Sequence, residues 1–238
     1  GSSALALLAH CLDDVPTLVP MLLARFTVDL MRPLPVGRPL RVDSRVRREG
    51  KKLQLVEMAL LDGDMECVLA SALRLRDQAV PDDQLLPGGS SDGPPSTHFA
   101  PPEGSLNMRD LRPEPSGALL ASDICKAPRT EAAPGATWVR MLVPVVAGEP
   151  VRANARMAYC FDFASLVGLE VDITTVSMIN PDVSAHVLRP AVGEWISLSG
   201  DTRVHAPVGR SMSSAEARDE RGVFAYVSAS QIVEPLPS

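Results

Sequence analysis

Apolar and polar residues alternate through Phe26-Thr27-Val28-Asp29-Leu30-Met31 and stop at Arg32-Pro33. The same alternation with the same stop returns, ungapped, at Val183-Ser184-Ala185-His186-Val187-Leu188-Arg189-Pro190. Both runs then pass a Val-Gly turn, Val36-Gly37 and Val192-Gly193, and resume a strand-like pattern. Further on, the turn at Asp62-Gly63 precedes Met65 to Ala72 and that at Arg221-Gly222 precedes Phe224 to Gln231, each read as the last strand of its half. A pattern stated twice in one order predicts a duplicated architecture in which two like halves face one site.

In the first half, Ala4 to Leu12 is apolar on every side and built of good helix formers, with Ser2 and Ser3 available as caps. Such a helix must be enclosed. Period-two patterns predict strands at Phe26 to Met31, Leu40 to Val46, Leu53 to Leu60 and Glu66 to Leu75, the second with one wet face carrying Arg41, Asp43, Arg45 and Arg47. The second half repeats the plan. Trp138 to Val146 is a strand, Phe161 to Leu169 an apolar helix, Val171 to Ile179 a β-branched run, and Val183 to Leu188, Trp195 to Thr202 and Val223 to Val233 are strands. No counterpart of Trp138 to Val146 precedes the first helix, so the first half is expected to be truncated at its N-terminus. The physical reading is α+β: one buried helix wrapped by a curved antiparallel sheet, twice, with the two sheets pairing at their edges.

Between the halves, residues 81–135 are rich in Pro, Gly, Ser and Asp and weak in periodicity, which marks a linker between residues 1–80 and residues 136–238. A connection of that length is expected to pack partly across the surface.

The 238 residues, 45% hydrophobic, are enough to bury a large core. A formal charge of −6 with scattered Lys and Arg provides no basic face for nucleic acid. Cys11, Cys67, Cys125 and Cys160 lack metal or redox spacing and are expected to be reduced, buried thiols, which favours the cytoplasm. His98, His186 and His205 share no ligand spacing, so no metal is expected; there is no glycine-rich phosphate loop, and no cofactor is expected. No apolar stretch approaches the roughly 18 residues that span a bilayer.

Several short pieces, in this order, resemble the double hotdog fold of the acyl-CoA thioesterase II (TesB-like) family, in particular its actinobacterial thioesterase-like branch. They are Val28-Asp29-Leu30-Met31-Arg32-Pro33, Arg48-Glu49-Gly50 and Leu73-Arg74-Leu75 in the first half. In the second they are Trp138-Val139-Arg140, Ala147-Gly148-Glu149-Pro150, Asp162-Phe163, Ile179-Asn180-Pro181-Asp182, Arg189-Pro190 with Gly193-Glu194-Trp195, and Asp219-Glu220-Arg221-Gly222. The resemblance implies hydrolysis of an acyl-CoA thioester, in fatty acid and lipid metabolism, at a site between the two hotdogs. It implies no covalent nucleophile: a carboxylate at a helix start and polar groups on neighbouring strands hold and deprotonate a water, while helix N–H groups polarise the thioester carbonyl.

That carboxylate maps onto Asp162, which is also the only charge in Ala158 to Ala164. A helix cap alone is the plainer reading; a cap that is also the general base is the one the resemblance favours. The family's strand Thr falls near Asn180, where an amide can hold water and Asp182 can assist, or where Asn-Pro-Asp is simply turn chemistry. The family's last-strand Gln is expected close to Ala229 or Ser230, whereas the glutamine present is Gln231, which faces the site only if a bulge corrects the register. Ser184 is a spare hydroxyl, and Ser230 and Ser228 are substitutes for that Gln on the opposite parity; Ser184 and Ser230 are expected on the substrate side. Arg189 and Arg32, next to prolines, are either salt-bridged turns or contacts for CoA phosphates. His10 reads as a satisfied core histidine and Trp195 as a packing anchor.

Two other functions compete. A non-catalytic acyl or acyl-CoA binding protein would keep the pocket and lose the water-holding set. A hotdog hydratase would need a histidine near Asp162 on the same helix, and Phe163-Ala164-Ser165-Leu166-Val167 has none. Two fused hotdogs already supply what single hotdogs gain by dimerising, so a homo-oligomer is possible but not required.

Overall fold

The computed structural model describes residues 1–84, 96, 98–111, 117–128, 135–168, 171 and 175–236. The chain runs α1 (Ser2–Leu12), β1 (Met21–Leu30), β2 (Arg41–Arg48), β3 (Leu53–Asp62), β4 (Met65–Arg76), β5 (Leu106–Asn107), α2 (Ala118–Ala121), β6 (Ser122–Lys126) and β7 (Ala136–Met141). It continues through α3 (Ala153–Phe161), which passes into a 3-10 turn at Asp162–Leu166. The last strands are β8 (Val176–Ile179), β9 (Asp182–Val187), β10 (Trp195–His205), β11 (Arg210–Asp219) and β12 (Gly222–Pro235).

The described strands form one twelve-stranded sheet in the order β2-β3-β4-β1-β9-β12-β11-β10-β7-β6-β5, with β8 added to β12. The halves join where β1 meets β9 antiparallel, the very strands whose patterns repeat in the sequence. Thr27 pairs with Ser184, its counterpart, and Phe26–Ala185 and Val28–Val183 flank it symmetrically. The local two-fold therefore runs between Thr27 and Ser184. This seam covers one edge of each half-sheet with the other.

The two central helices pack against each other under the sheet. Leu5, Leu8 and Leu12 of α1 and Met157, Tyr159 and Phe161 of α3 are almost fully enclosed, each worth roughly 2 kcal/mol in burial. Enclosure of all but Ser3, with Leu7 and Cys11 partly buried, explains why α1 is apolar nearly all round.

The structure departs from the sequence expectation in several places. The second helix lies at Ala153–Phe161 rather than Phe161 to Leu169, and Leu169 lies outside the described residues. After the 3-10 turn the chain leaves through Gly168 at φ +51°, where an added Cβ would stand 3.0 Å from the Asp201 Cα. The apolar run begun by Asp162 is thus the tail of a helix whose start, in Ala153-Asn154-Ala155-Arg156, is more polar. The strand expected from Trp138 to Val146 is β7, ending at Met141, since Pro144 cannot donate to a ladder. Within the stretch assigned to the linker, β6 pairs with β7 and extends the second half's sheet; its residues 85–95, 97, 112–116 and 129–134 lie outside the described ones. Of the run Val171 to Ile179, residues 172–174 lie outside, and β8 holds the rest.

The second sequence match slips by two residues. Bulges after the hairpins fall at Cys67, between the Leu60–Val68 and Leu61–Glu66 pairs, and at Phe224, between Ala217–Ala225 and Arg218–Val223. These bulges, and not the turn glycines, are equivalent, and they share the offset that relates Thr27 to Ser184.

Candidate active site

Asp162 stands at the C-terminal end of α3, not at a helix start as the sequence suggested. Its carboxylate nevertheless meets a helix N-terminus, that of the other half. The Ser2 N–H donates to Asp162 Oδ2 at 2.8 Å, while α1 has no side-chain cap of its own. The serines expected to cap α1 are replaced by an aspartate from across the molecule. That satisfies one of the orphan donors of the first turn and sets a negative charge at the positive end of the helix dipole. The 3-10 turn holds Asp162 in place: Ser165 Oγ donates to its carbonyl at 3.0 Å. The side chain is 14% exposed.

Asn180 reaches the same carboxylate. Its Nδ2 donates to Asp162 Oδ1 and to the Asp162 carbonyl, each at 3.1 Å. This fixes the amide orientation and leaves Asn180 Oδ1 buried with no protein donor among the described residues. The loop is tied to the first half, since the Leu30 N–H donates to the Pro181 carbonyl at 2.7 Å. Tyr159, which the sequence reading did not single out, lies buried behind the junction with its hydroxyl on Ser122 Oγ at 3.1 Å and bonded to the Ser2 side chain. Burial pushes its pKa up.

Asp162 and Asn180 open onto a cleft of about 820 Å³ lined from both halves: Leu30, Leu34 and Val68 on one side, Met178, Ile179 and Ile232 on the other. Its walls are mainly apolar. Arg32 stands on the rim, exposed, and donates to the Glu66 carbonyl at 2.9 Å.

The remaining sequence candidates lie elsewhere. Gln231 is buried, so it does face inward, but it reaches neither Asp162 nor Asn180: its Oε1 accepts from Ser211 Oγ and its Nε2 donates to the Ser165 carbonyl at 3.3 Å. It acts on the turn beneath Asp162. Ala229, one of the two positions where the family's Gln was expected, points inward as well. Ser230 has the opposite parity and is exposed on the outer face, its N–H donating to Asp182 Oδ1 at 2.9 Å. That bond commits Asp182 away from Asp162. Ser184 lines a groove on the outer face with His186 and Tyr226. Arg189 forms a two-pronged pair with the buried Asp219, at 2.6 and 2.8 Å. Strand alternation separates both serines from the cleft, and Asp219 holds Arg189 at a turn. Arg189, together with the N–H groups of Val192 and Arg221, holds the Asp219 pKa down against burial, which pushes it up. His10 is a core histidine, 3.0 Å from Glu149 Oε2, and Trp195 packs under Arg140.

A second junction mirrors the first. Asp13, at the end of α1, accepts from Asn154 Nδ2 near the start of α3 at 2.6 Å. Arg152 fills this end, donating to the His10 carbonyl at 2.9 Å and to Asp14 at 2.7 Å. Burial raises the Asp13 pKa against the pull of Asn154 and Arg152. Of the two junctions, the one at Asp162 opens onto the cleft described above. Among the described residues no cluster of His, Cys, Asp and Glu is arranged to hold a metal ion, and no helix is long and apolar enough to cross a membrane.

Comparison with known proteins bears on this geometry. Residues 1–75 match the model of the acyl-CoA thioesterase N-terminal domain and residues 92–232 that of the acyl-CoA thioesterase C-terminal domain. Among solved structures, an acyl-CoA thioesterase II from Mycobacterium marinum superposes with a TM-score of 0.69 at 14% identity, covering 100% of this chain and 90% of that one. A thioesterase II from Thermobifida fusca gives 0.68 at 15% identity over 98% and 86%. A hot dog fold protein of unknown function from Alicyclobacillus acidocaldarius gives 0.70 at 14% over 100% and 88%. No curated protein matches the chain. At these identities the structural likeness establishes the fold, a double hotdog.

Proposed function

We propose that this chain, which belongs to the acyl-CoA thioesterase family, hydrolyses an acyl-CoA thioester in the cleft between its halves, with Asp162 as general base. The observation that carries this reading is the junction at Asp162: a carboxylate bound to a helix N-terminus of the opposite half, beside an amide oxygen without a protein donor, at the wall of an apolar cleft.

A water that donates one hydrogen to Asp162 and the other to Asn180 Oδ1 keeps a lone pair directed at the cleft. As that oxygen bonds to the thioester carbonyl carbon, Asp162 takes the proton, and the carbonyl π electrons move onto oxygen. The Ser3 N–H, the first-turn donor of α1 held neither by Asp162 nor by the Gly1 carbonyl, stabilises the oxyanion. Collapse of the tetrahedral intermediate breaks the carbon–sulfur bond, and the proton returns from Asp162 to the leaving thiolate. The products are the carboxylic acid and the free thiol. The apolar walls suit an acyl chain, and Arg32 on the rim suits an anionic group of the substrate.

The engagement of Gln231 with Ser165 favours a second reading, a non-catalytic acyl-CoA binding protein, because one polar group of the family's water-holding set is then missing from the cleft. Release of free thiol from acyl-CoAs of graded chain length separates the two. Turnover at any length supports the enzyme; tight binding without release at every length supports the binding protein.

A further inference from the structure

A second groove adjoins the cleft. It has a volume of about 480 Å³, lies on the outer face across the ends of β10, β11 and β12, and shares Pro181 and Ile232 with the Asp162 cleft. Three of its lining side chains are Arg203, His205 and Arg210, and none is acidic. In a chain of formal charge −6 this grouping is local, so it draws an anion to one place rather than to the surface at large. Arg203 is held by Asp201 at 2.6 Å, and His205 faces Arg210 across the hairpin as a register partner. The hairpin is pinned: Val233 N–H donates to the Gly209 carbonyl at 2.9 Å, and Gly209, at φ +60°, has no room for a Cβ because Val233 O would lie 2.8 Å away. Between the cations, Met212 and Ile232 present exposed apolar surface, 58% and 42% accessible. Cations around an apolar floor match a phosphorylated purine nucleotide, whose base needs a flat apolar contact and whose phosphates need guanidinium forks.

We propose that the groove of Arg203, His205 and Arg210 holds the phosphorylated nucleotide end of CoA while the thioester reaches past Pro181 and Ile232 to Asp162. The assignment rests on the thioesterase reading above, and it fixes the orientation of the substrate: nucleotide outside on the β10–β11 hairpin, acyl chain inside between the halves.

The test compares an acyl-CoA with the same acyl group on pantetheine, which lacks the nucleotide, in the wild type and in the Arg203→Ala/Arg210→Ala double variant. The proposal predicts that KM for the acyl-CoA rises about tenfold or more, the value of one lost charge-assisted contact, while the parameters for acyl-pantetheine stay as in the wild type. The Arg203→Lys/Arg210→Lys variant should recover part of the loss. An unchanged KM for acyl-CoA, or equal losses on both substrates, overturns the proposal. Should the wild type hydrolyse neither substrate, the thioesterase reading fails, and calorimetry with adenosine bisphosphate still decides the groove. Binding to the wild type that the double variant loses supports it, and no binding to the wild type overturns it.

Discussion

Arg74 and Gln231 occupy equivalent positions in the two halves and do the same work with different chemistry. Ser71 pairs with Thr27 and Ser228 with Ser184, and Arg74 and Gln231 follow those serines at the same distance along β4 and β12. Each lies beside a buried polar partner on the next strand, Gln54 and Ser211. Arg74 donates to the carbonyls of Leu12 at 3.2 Å and Val15 at 2.8 Å, at the end of α1; Gln231 donates to that of Ser165, past the end of α3. Each anchors the C-terminal end of its half's helix.

Replacing Arg74 by Ala strips donors from two helix-end carbonyls and leaves Gln54 Oε1 unpaired. In the native chain burial depresses the guanidinium pKa and these hydrogen bonds offset that cost; in the variant the acceptors they served lose this donor. Urea unfolding should show a loss of about 3 kcal/mol. Arg74→Gln, which copies the other half, should recover part of it. Equal losses in both variants would contradict the equivalence.

Gln231→Ala should likewise act on stability before chemistry. Loss of the Ser165 and Ser211 contacts should lower the unfolding free energy by about 1–2 kcal/mol, with kcat/KM falling less than about tenfold. A hundredfold loss of kcat in a fully stable protein would instead place the amide on the reacting water.

The repeat was legible because burial imposes it: Phe26, Val28, Val183 and Ala185 face the core in both copies, and the seam strands repeat the pattern with one offset. The bulges at Cys67 and Phe224 were not, since a bulge inserts a residue without any compositional mark, and matching the halves on turn glycines put the second alignment out of register. Asp162 was legible as a lone charge in an apolar run. That it caps α1 rather than its own helix was not, because the cap joins residues far apart in sequence and Ser2 and Ser3 offered a local explanation. The outward turn of Ser184 and Ser230 follows from strand parity, which is readable only once the register is known.

Asn180→Ala should lower kcat by about tenfold to a hundredfold with little change in KM, since it removes one of two acceptors for the attacking water. Asn180→Asp sets a second carboxylate against Asp162. It also removes the amide donor that holds Asp162 Oδ1, so kcat should fall at least as far as in Asn180→Ala. A wild-type kcat in both variants would argue against a water held between Asp162 and Asn180.

Lys126 provides a pH test of the second half. Its ammonium is buried against Thr137 Oγ1, at 2.8 Å, and the Leu166 carbonyl, and burial lowers its pKa from 10.5 to about 8. Between those values the unfolded chain binds more protons than the folded one, so stability rises with pH across that window; below it the folded state bears a cost on the order of 3 kcal/mol. Urea unfolding of wild type and Lys126→Met should therefore show the difference shifting in favour of wild type from pH 8 towards pH 10. A difference that stays constant over that range would mean the amine is not desolvated.

The central claim is that one carboxylate caps α1 and serves as the general base, and Asp162→Asn separates the two roles. The amide keeps an acceptor for the Ser2 N–H and loses the one that meets Asn180 Nδ2, so its loss of unfolding free energy in urea should be the smaller, whereas Asp162→Ala loses both and should cost about 1–2 kcal/mol. Thiol release from an acyl-CoA should fall in both variants by about a hundredfold to ten-thousandfold in kcat. Asp162→Asn turning over acyl-CoA at the wild-type rate would contradict the account.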